Sequence, residues 1–212
     1  MKRIFTTITV LTILLLSWTS AQVRNVWMRT DMDGAGFTYW VGGTSTMMGM
    51  DWGHSMLYWT GGNNAEFEIG PVIPLAGGKL IVVPEIGIEV NMTTGQTNYI
   101  MPEIFAFYDS GKNHAQLWNF YYHGVGKSTK DTPFYYGRYF YKRDLSESFA
   151  AGVQAELAYD LSEDGAGIAS LPVGLKADWV YGKGNTLGCF VGVDTESENN
   201  NVVTRVTFVR NF

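Results

Sequence analysis

Two short segments place a carboxylate in the same apolar frame, Pro84-Glu85-Ile86 and Pro102-Glu103-Ile104. A hairpin pivoting at Thr94 sets Glu85 directly across from Glu103. Like charges so placed repel one another, and burial makes an unpaired charge costlier still. Such a pair calls for a cation, a shared proton or a basic partner. Arg138 and Lys176 are the candidate partners. Arg138 shares a face with Tyr136, Phe140 and Lys142, and a pivot at Leu145 sets it opposite Gly152, whose missing side chain leaves room. Glu156, Lys176 and Asp178 carry charge at alternate positions of two further segments. Together Glu85, Glu103, Arg138, Glu156, Lys176 and Asp178 suit a narrow enclosed lumen. There they act as a space-filling ion-pair network or as a charged constriction that selects small solutes.

Other constellations carry less. Met47, Met48, Met50, His54 and Met56 hold soft donors that suit copper(I), but their spacing is irregular and Met is an adaptable packing residue. Gly126-Lys127-Ser128-Thr129 lacks the first glycine of a phosphate loop, because Tyr121 stands there. His54-Ser55 and His123 with Ser128 offer Ser and His for a lipid hydrolase, yet neighbours on a strand point to opposite faces. Cys189 is the only cysteine, so no intramolecular disulfide forms. No catalytic set, metal-ligand set or cofactor site is assigned.

The elements that hold these residues read as strands. From residue 64 the chain is a series of alternating segments at 64–74, 79–91, 97–109, 114–124, 133–143, 147–161, 168–182, 186–196 and 202–212, none with helical periodicity. Most reach the roughly 9–11 residues that a tilted strand needs to cross a bilayer. One face of 147–161 is apolar throughout: Phe149, Ala151, Val153, Ala155, Leu157, Tyr159 and Leu161. Its other face carries Gln154, Glu156 and Asp160. In 168–182 the apolar set Leu171, Val173, Leu175, Ala177, Trp179 and Tyr181 opposes Lys176 and Asp178. In 79–91 the set from Leu80 to Val90 opposes Glu85 and Glu89. Compact connections (76–78, 109–113, 144–146, 183–185) alternate with longer polar ones (93–96, 124–132, 162–167, 197–201). That asymmetry suits a membrane barrel with short turns at one end and longer loops at the other.

The last segment, Asn201-Val-Val-Thr-Arg-Val-Thr-Phe-Val-Arg-Asn-Phe212, resembles the C-terminal signature of bacterial outer-membrane β-barrel proteins. Val202, Thr204, Val206, Phe208 and Phe212 share one face, and Val203, Arg205, Thr207, Val209 and Asn211 the other. The resemblance implies that Phe208 and Phe212 are read by the barrel-insertion machinery. Arg210 departs from it, since the third residue from the end is usually aromatic. At the other terminus Lys2 and Arg3, an apolar run at 4–18 and Thr19-Ser20-Ala21 form a secretory signal peptide over 1–21. Residues 22–212 form the barrel domain.

Composition agrees. The formal charge is −5, which argues against nucleic acid. Aromatic residues reach 15%, more than a soluble core needs and suited to girdles at two membrane interfaces. The expected fold is therefore an all-β, antiparallel up-and-down transmembrane barrel of ten or twelve strands. Residues 22–63 are the least legible, holding further strands (26–32, 37–43, 54–60), a turn, a plug or a short helix. The expected site is the bacterial outer membrane, with lipid and the insertion machinery as partners. The expected function is a narrow passive pore for small solutes or a structural membrane protein. A lipid hydrolase and a soluble lipocalin-like barrel are the alternatives, the latter turning its apolar faces inward around a ligand.

Overall fold

A computed structural model describes residues 22–197 and 201–212; the expected signal peptide lies outside them. Fourteen β segments follow one another: β1 (Gln22–Asp33), β2 (Gly36–Met47), β3 (Met50–Trp59), β4 (Asn64–Pro71), β5 (Ile73–Leu75), β6 (Leu80–Asn91), β7 (Thr97–Asp109), β8 (Asn113–Gly124), β9 (Phe134–Asp144), β10 (Phe149–Asp160), β11 (Gly167–Ser170), β12 (Pro172–Tyr181), β13 (Asn185–Asp194) and β14 (Val202–Asn211). They make an antiparallel barrel of 12 strands, because β4 with β5 and β11 with β12 are broken single strands. Proline explains both breaks, since it gives no N–H to the ladder. Pro71 ends β4, and Val72 then donates to the Asp51 carbonyl at 2.8 Å. At Leu171-Pro172 the Leu171 N–H turns to the Asp194 carboxylate at 2.8 Å, and Ser170 Oγ donates to the same group at 2.6 Å.

The barrel closes where β14 meets β1, from Trp27 opposite Asn211 to Asp33 opposite Arg205. Phe212 adds a bond from its N–H to the Val26 carbonyl at 2.9 Å. Closure pairs every strand on both sides and leaves no edge to aggregate. The amino-terminal third, the least legible stretch, supplies three full strands and among the described residues no plug. The only helical turn described is a 3-10 turn at Ala76–Gly78.

Facing follows the period of two. Leu175 is 71% exposed and Val153 52%, whereas their chain neighbours Lys176 and Gln154 are buried; Ile86, 51% exposed, stands between half-buried Glu85 and buried Gly87. The outside is thus apolar and the inside charged, which rules out the inverted, lipocalin-like arrangement for this fold. Exposed rings collect at both ends of the outer wall. Phe37, Tyr39, Trp59 and Tyr121 lie toward the long loops, and Tyr108, Tyr141, Phe149, Trp179 and Phe212 toward the short turns. Two girdles about an apolar band are what a bilayer selects, since ring edges suit the headgroup region.

Candidate functional site

The barrel interior has three parts: an acidic wall, a mixed-charge wall, and aromatic rings between them. The acidic wall is built by β4, β6 and β7. Glu85 opposes Glu103, as the pivot at Thr94 requires, and Glu66 opposes Glu89. Glu68 lies across from Gly87 on the same face. Glu66, Glu68, Glu89 and Glu103 are all buried, and Glu85 is half-buried. Their partners are neutral: Tyr122 donates to Glu66 at 3.3 Å, Asn98 to Glu89 at 2.9 Å, and Ser55 to Glu68. Neither carboxylate oxygen of Glu103 has a hydrogen-bond partner.

The opposite wall, on β1, β9, β10, β12 and β14, is an ion-pair network. Arg138 reaches Asp31 at 3.0 Å and Glu156 at 3.5 Å. Arg205 holds Asp33 at 2.9 Å and also binds Glu156. Arg29 pairs with Asp31 at 3.0 Å, and Thr207 donates to Asp31 at 2.6 Å. Asp178 sits between Lys142 at 2.8 Å and Lys176 at 3.2 Å. The Tyr136 hydroxyl and Gln154 amide complete the shell of Glu156 at 2.7 and 2.5 Å.

Between the walls Trp40, Phe105, Trp118, Phe120, Tyr122 and Phe140 pack with Val83 and Met101 as one buried cluster. Trp118 is its hub, meeting Trp40 and Phe140 edge-on at 5.1 Å. The cations touch this layer from their own side. The guanidinium of Arg29 lies 4.7 Å from the Trp118 ring centre and that of Arg138 5.3 Å, while Lys176 Nζ is 5.2 Å from Phe140. Such contacts hold a cation against a ring face without neutralising it. Toward the short turns the lumen widens into a vestibule of about 870 Å³, lined among others by Trp27, Arg29, Trp40, Asp51, Glu85 and Trp118.

All six charged residues singled out in the sequence face inward, but the structure divides them. Glu85 and Glu103 stand on one wall; Arg138, Glu156, Lys176 and Asp178 stand on the other. Arg138 and Lys176 are therefore not the basic partners of the glutamate pair, because each is engaged by carboxylates of its own wall. The register of Arg138 also differs from expectation: it opposes Glu156, and Gly152 opposes Lys142. The turn is the reason. Leu145 and Ser146 both donate to the Phe149 carbonyl, so the loop is longer and the pivot lies two residues later. The pairing slips by four residues, an even number that keeps every side chain on its face, so the facing survives the error. The methionine-rich stretch does not converge: Met48 is at a turn tip, 94% exposed, and Met56 points outward. His54 meets Ser45 at 2.8 Å rather than its neighbour Ser55.

Sequence reasoning missed the Arg29-x-Asp31-x-Asp33 row, whose period-two polarity was a readable signal. It also missed Glu66, Glu68 and the aromatic layer.

No protein-family model matches the chain, and neither does any curated protein. Solved structures do. The NanC porin superimposes with a TM-score of 0.59 at 9% identity, over 88% of this chain and 98% of that one. The KdgM porin in complex with disordered oligogalacturonate gives 0.56 at 12% identity, over 89% and 99%. An outer membrane channel from Pseudomonas putida F1 gives 0.54 at 10%, over 91% and 95%. The fold is that of small outer-membrane porins and channels.

Proposed function

We propose that this chain is a narrow passive channel of the bacterial outer membrane for small solutes, with a preference for cations. The observation that carries the reading is the charged interior, reached through an open vestibule and set inside an apolar, ring-girdled wall. The two walls described above carry nine carboxylates (Asp31, Asp33, Glu66, Glu68, Glu85, Glu89, Glu103, Glu156 and Asp178) against five cations (Arg29, Arg138, Lys142, Lys176 and Arg205), and Asp51 adds a carboxylate at the vestibule. Excess carboxylate along a constriction favours cations. One similar structure holds oligogalacturonate, itself a polycarboxylate; the charge balance here points away from such a solute. We place the constriction at the buried aromatic layer around Trp118, which would then set the conductance. Phe208 and Phe212 belong to the same proposal as the segment presented to the insertion machinery, with outer-membrane lipid as the surrounding partner.

Planar-bilayer recording tests the channel. Wild type is expected to give small, cation-preferring currents by reversal potential in a salt gradient. Trp118→Ala should raise single-channel conductance at least about twofold, because it removes the hub of the constriction. Silence from both proteins would leave a closed structural barrel, and an anion preference would refute the selectivity.

A further inference from the structure

We propose that Glu68, Glu85 and Glu103 form a calcium-binding site in the lumen wall, entered from the vestibule. The inference goes beyond the channel reading and does not rest on it.

Three adjacent strands bring these carboxylates together: Glu68 from β4, Glu85 from β6 and Glu103 from β7. One oxygen from each lies within 4.8 Å of the others. Calcium binds oxygen at about 2.3–2.6 Å, so two ligands on opposite sides of one ion stand about 4.6–5.2 Å apart. Magnesium, at about 2.0–2.1 Å, would require a tighter set. The limit of 4.8 Å on their separations lies within the span of a calcium shell.

A second observation points to a missing partner. Glu103 is only 3% exposed, and both its oxygens are buried with no hydrogen bond. A buried carboxylate with nothing to accept from is costly and calls for a counter-charge. Among the described residues the five lumen cations, Arg29, Arg138, Lys142, Lys176 and Arg205, are each held by carboxylates of the far wall. Glycines keep the space open. A Cβ at Gly87 would collide with Glu103 Oε1, and one at Gly53 would lie 2.8 Å from Glu85 Oε1. Glu85, half-buried, lines the vestibule beside Gly53 and Ser55, so hydrated ions reach the site from the short-turn end.

The test is isothermal titration of calcium chloride into the purified, EDTA-stripped barrel in detergent micelles. Wild type should bind one ion saturably, and magnesium should bind at least tenfold more weakly. Glu103→Gln and Glu85→Gln should each weaken calcium at least tenfold, while Glu163→Gln, in an exposed loop, should leave it unchanged. Both glutamines nearly match the shape they replace and remove a charge, so the barrel should still form, as checked by heat-modifiable gel mobility. Calcium should also raise the temperature of that mobility shift in wild type and not in Glu103→Gln. Absence of saturable calcium binding by wild type would overturn the site, as would equal affinity in Glu103→Gln.

Discussion

Removal of Arg205 should loosen the seam that closes the barrel. Arg205 lies directly opposite Asp33, where the last strand meets the first, and its side chain is 9% exposed. Its Nε and Nη2 donate to Asp33 Oδ2 at 3.0 and 2.9 Å, and its Nη1 binds Glu156. Breaking a buried pair by deleting one partner costs about 3–5 kcal/mol, because the other charge stays behind unpaired. Two features reduce that here. Glu156 keeps Arg138, Tyr136 and Gln154, and Asp33 is 20% exposed, so water reaches it. Arg205→Ala should therefore cost about 3 kcal/mol, the lower end of that range. Arg205→Lys keeps the charge but loses the fork, and should cost about 1.5 kcal/mol. In a double-mutant cycle Arg205→Ala with Asp33→Asn should cost less than the sum of the two single changes by about 1–2 kcal/mol. Arg210→Ala supplies the contrast: Arg210 is exposed on the same strand and lies over the Phe212 ring in cation–π geometry, so its loss should stay within about 0.5 kcal/mol. Urea unfolding in detergent micelles, followed by tryptophan fluorescence and gel mobility, reads all five variants. A loss below about 1 kcal/mol for Arg205→Ala would refute the reasoning, since the seam would then be held by its backbone ladder alone.

Three further outcomes are expected. Leu175→Arg, at a position 71% exposed on the outer wall, should cost about 2–4 kcal/mol in a bilayer if that wall meets lipid; in a water-facing wall the change would stay within about 0.5 kcal/mol. Trp118→Ala should raise conductance and leave a weaker cation preference, because the far-wall arginines can then approach carboxylates that still outnumber them. Calcium should raise the thermal mobility shift of wild type and leave Glu103→Gln where it was.

The architecture was legible wherever a strand had one apolar and one charged face. In 147–161 and 168–182 alternation alone sorted the residues into two faces, and the aromatic excess with the closing Phe fixed which side meets lipid. The hairpin at Thr94 was also legible, because the matching Pro-Glu-Ile frames of its two strands set Glu85 against Glu103. The Arg138 hairpin was not, since a polar loop of Leu145 to Ser148 accepts several pivots. The first strands stayed obscure for a local reason: Asn25 adopts a positive φ of 49° and a bulge separates Arg24 from Trp27, so the alternation changes phase near its start. The aromatic layer was hidden because 97–109 and 114–124 are apolar on both faces. Met101, Phe105, Trp118 and Phe120 turn inward, while Ile100, Ile104 and Tyr121 turn outward with the same period, and pattern cannot tell one set from the other.

That layer connects the stability of the barrel to its proposed traffic. Were the two walls in contact, the surplus carboxylates of β4, β6 and β7 would draw Arg138 and Lys176 across, and the lumen would collapse into one neutral network. Trp40, Phe105, Trp118 and Phe140 stand in the way. The faces of Trp118 and Phe140 hold Arg29, Arg138 and Lys176 on the far side, where Asp31, Glu156 and Asp178 already satisfy them. The glutamate wall is left to seek its counter-charge from whatever enters the vestibule. A small mobile cation meets that need better than any side chain of the barrel, and the same separation makes Trp118→Ala informative twice over. Opening the layer should raise conductance, and by letting the far-wall arginines approach Glu103 it should weaken calcium in the same protein.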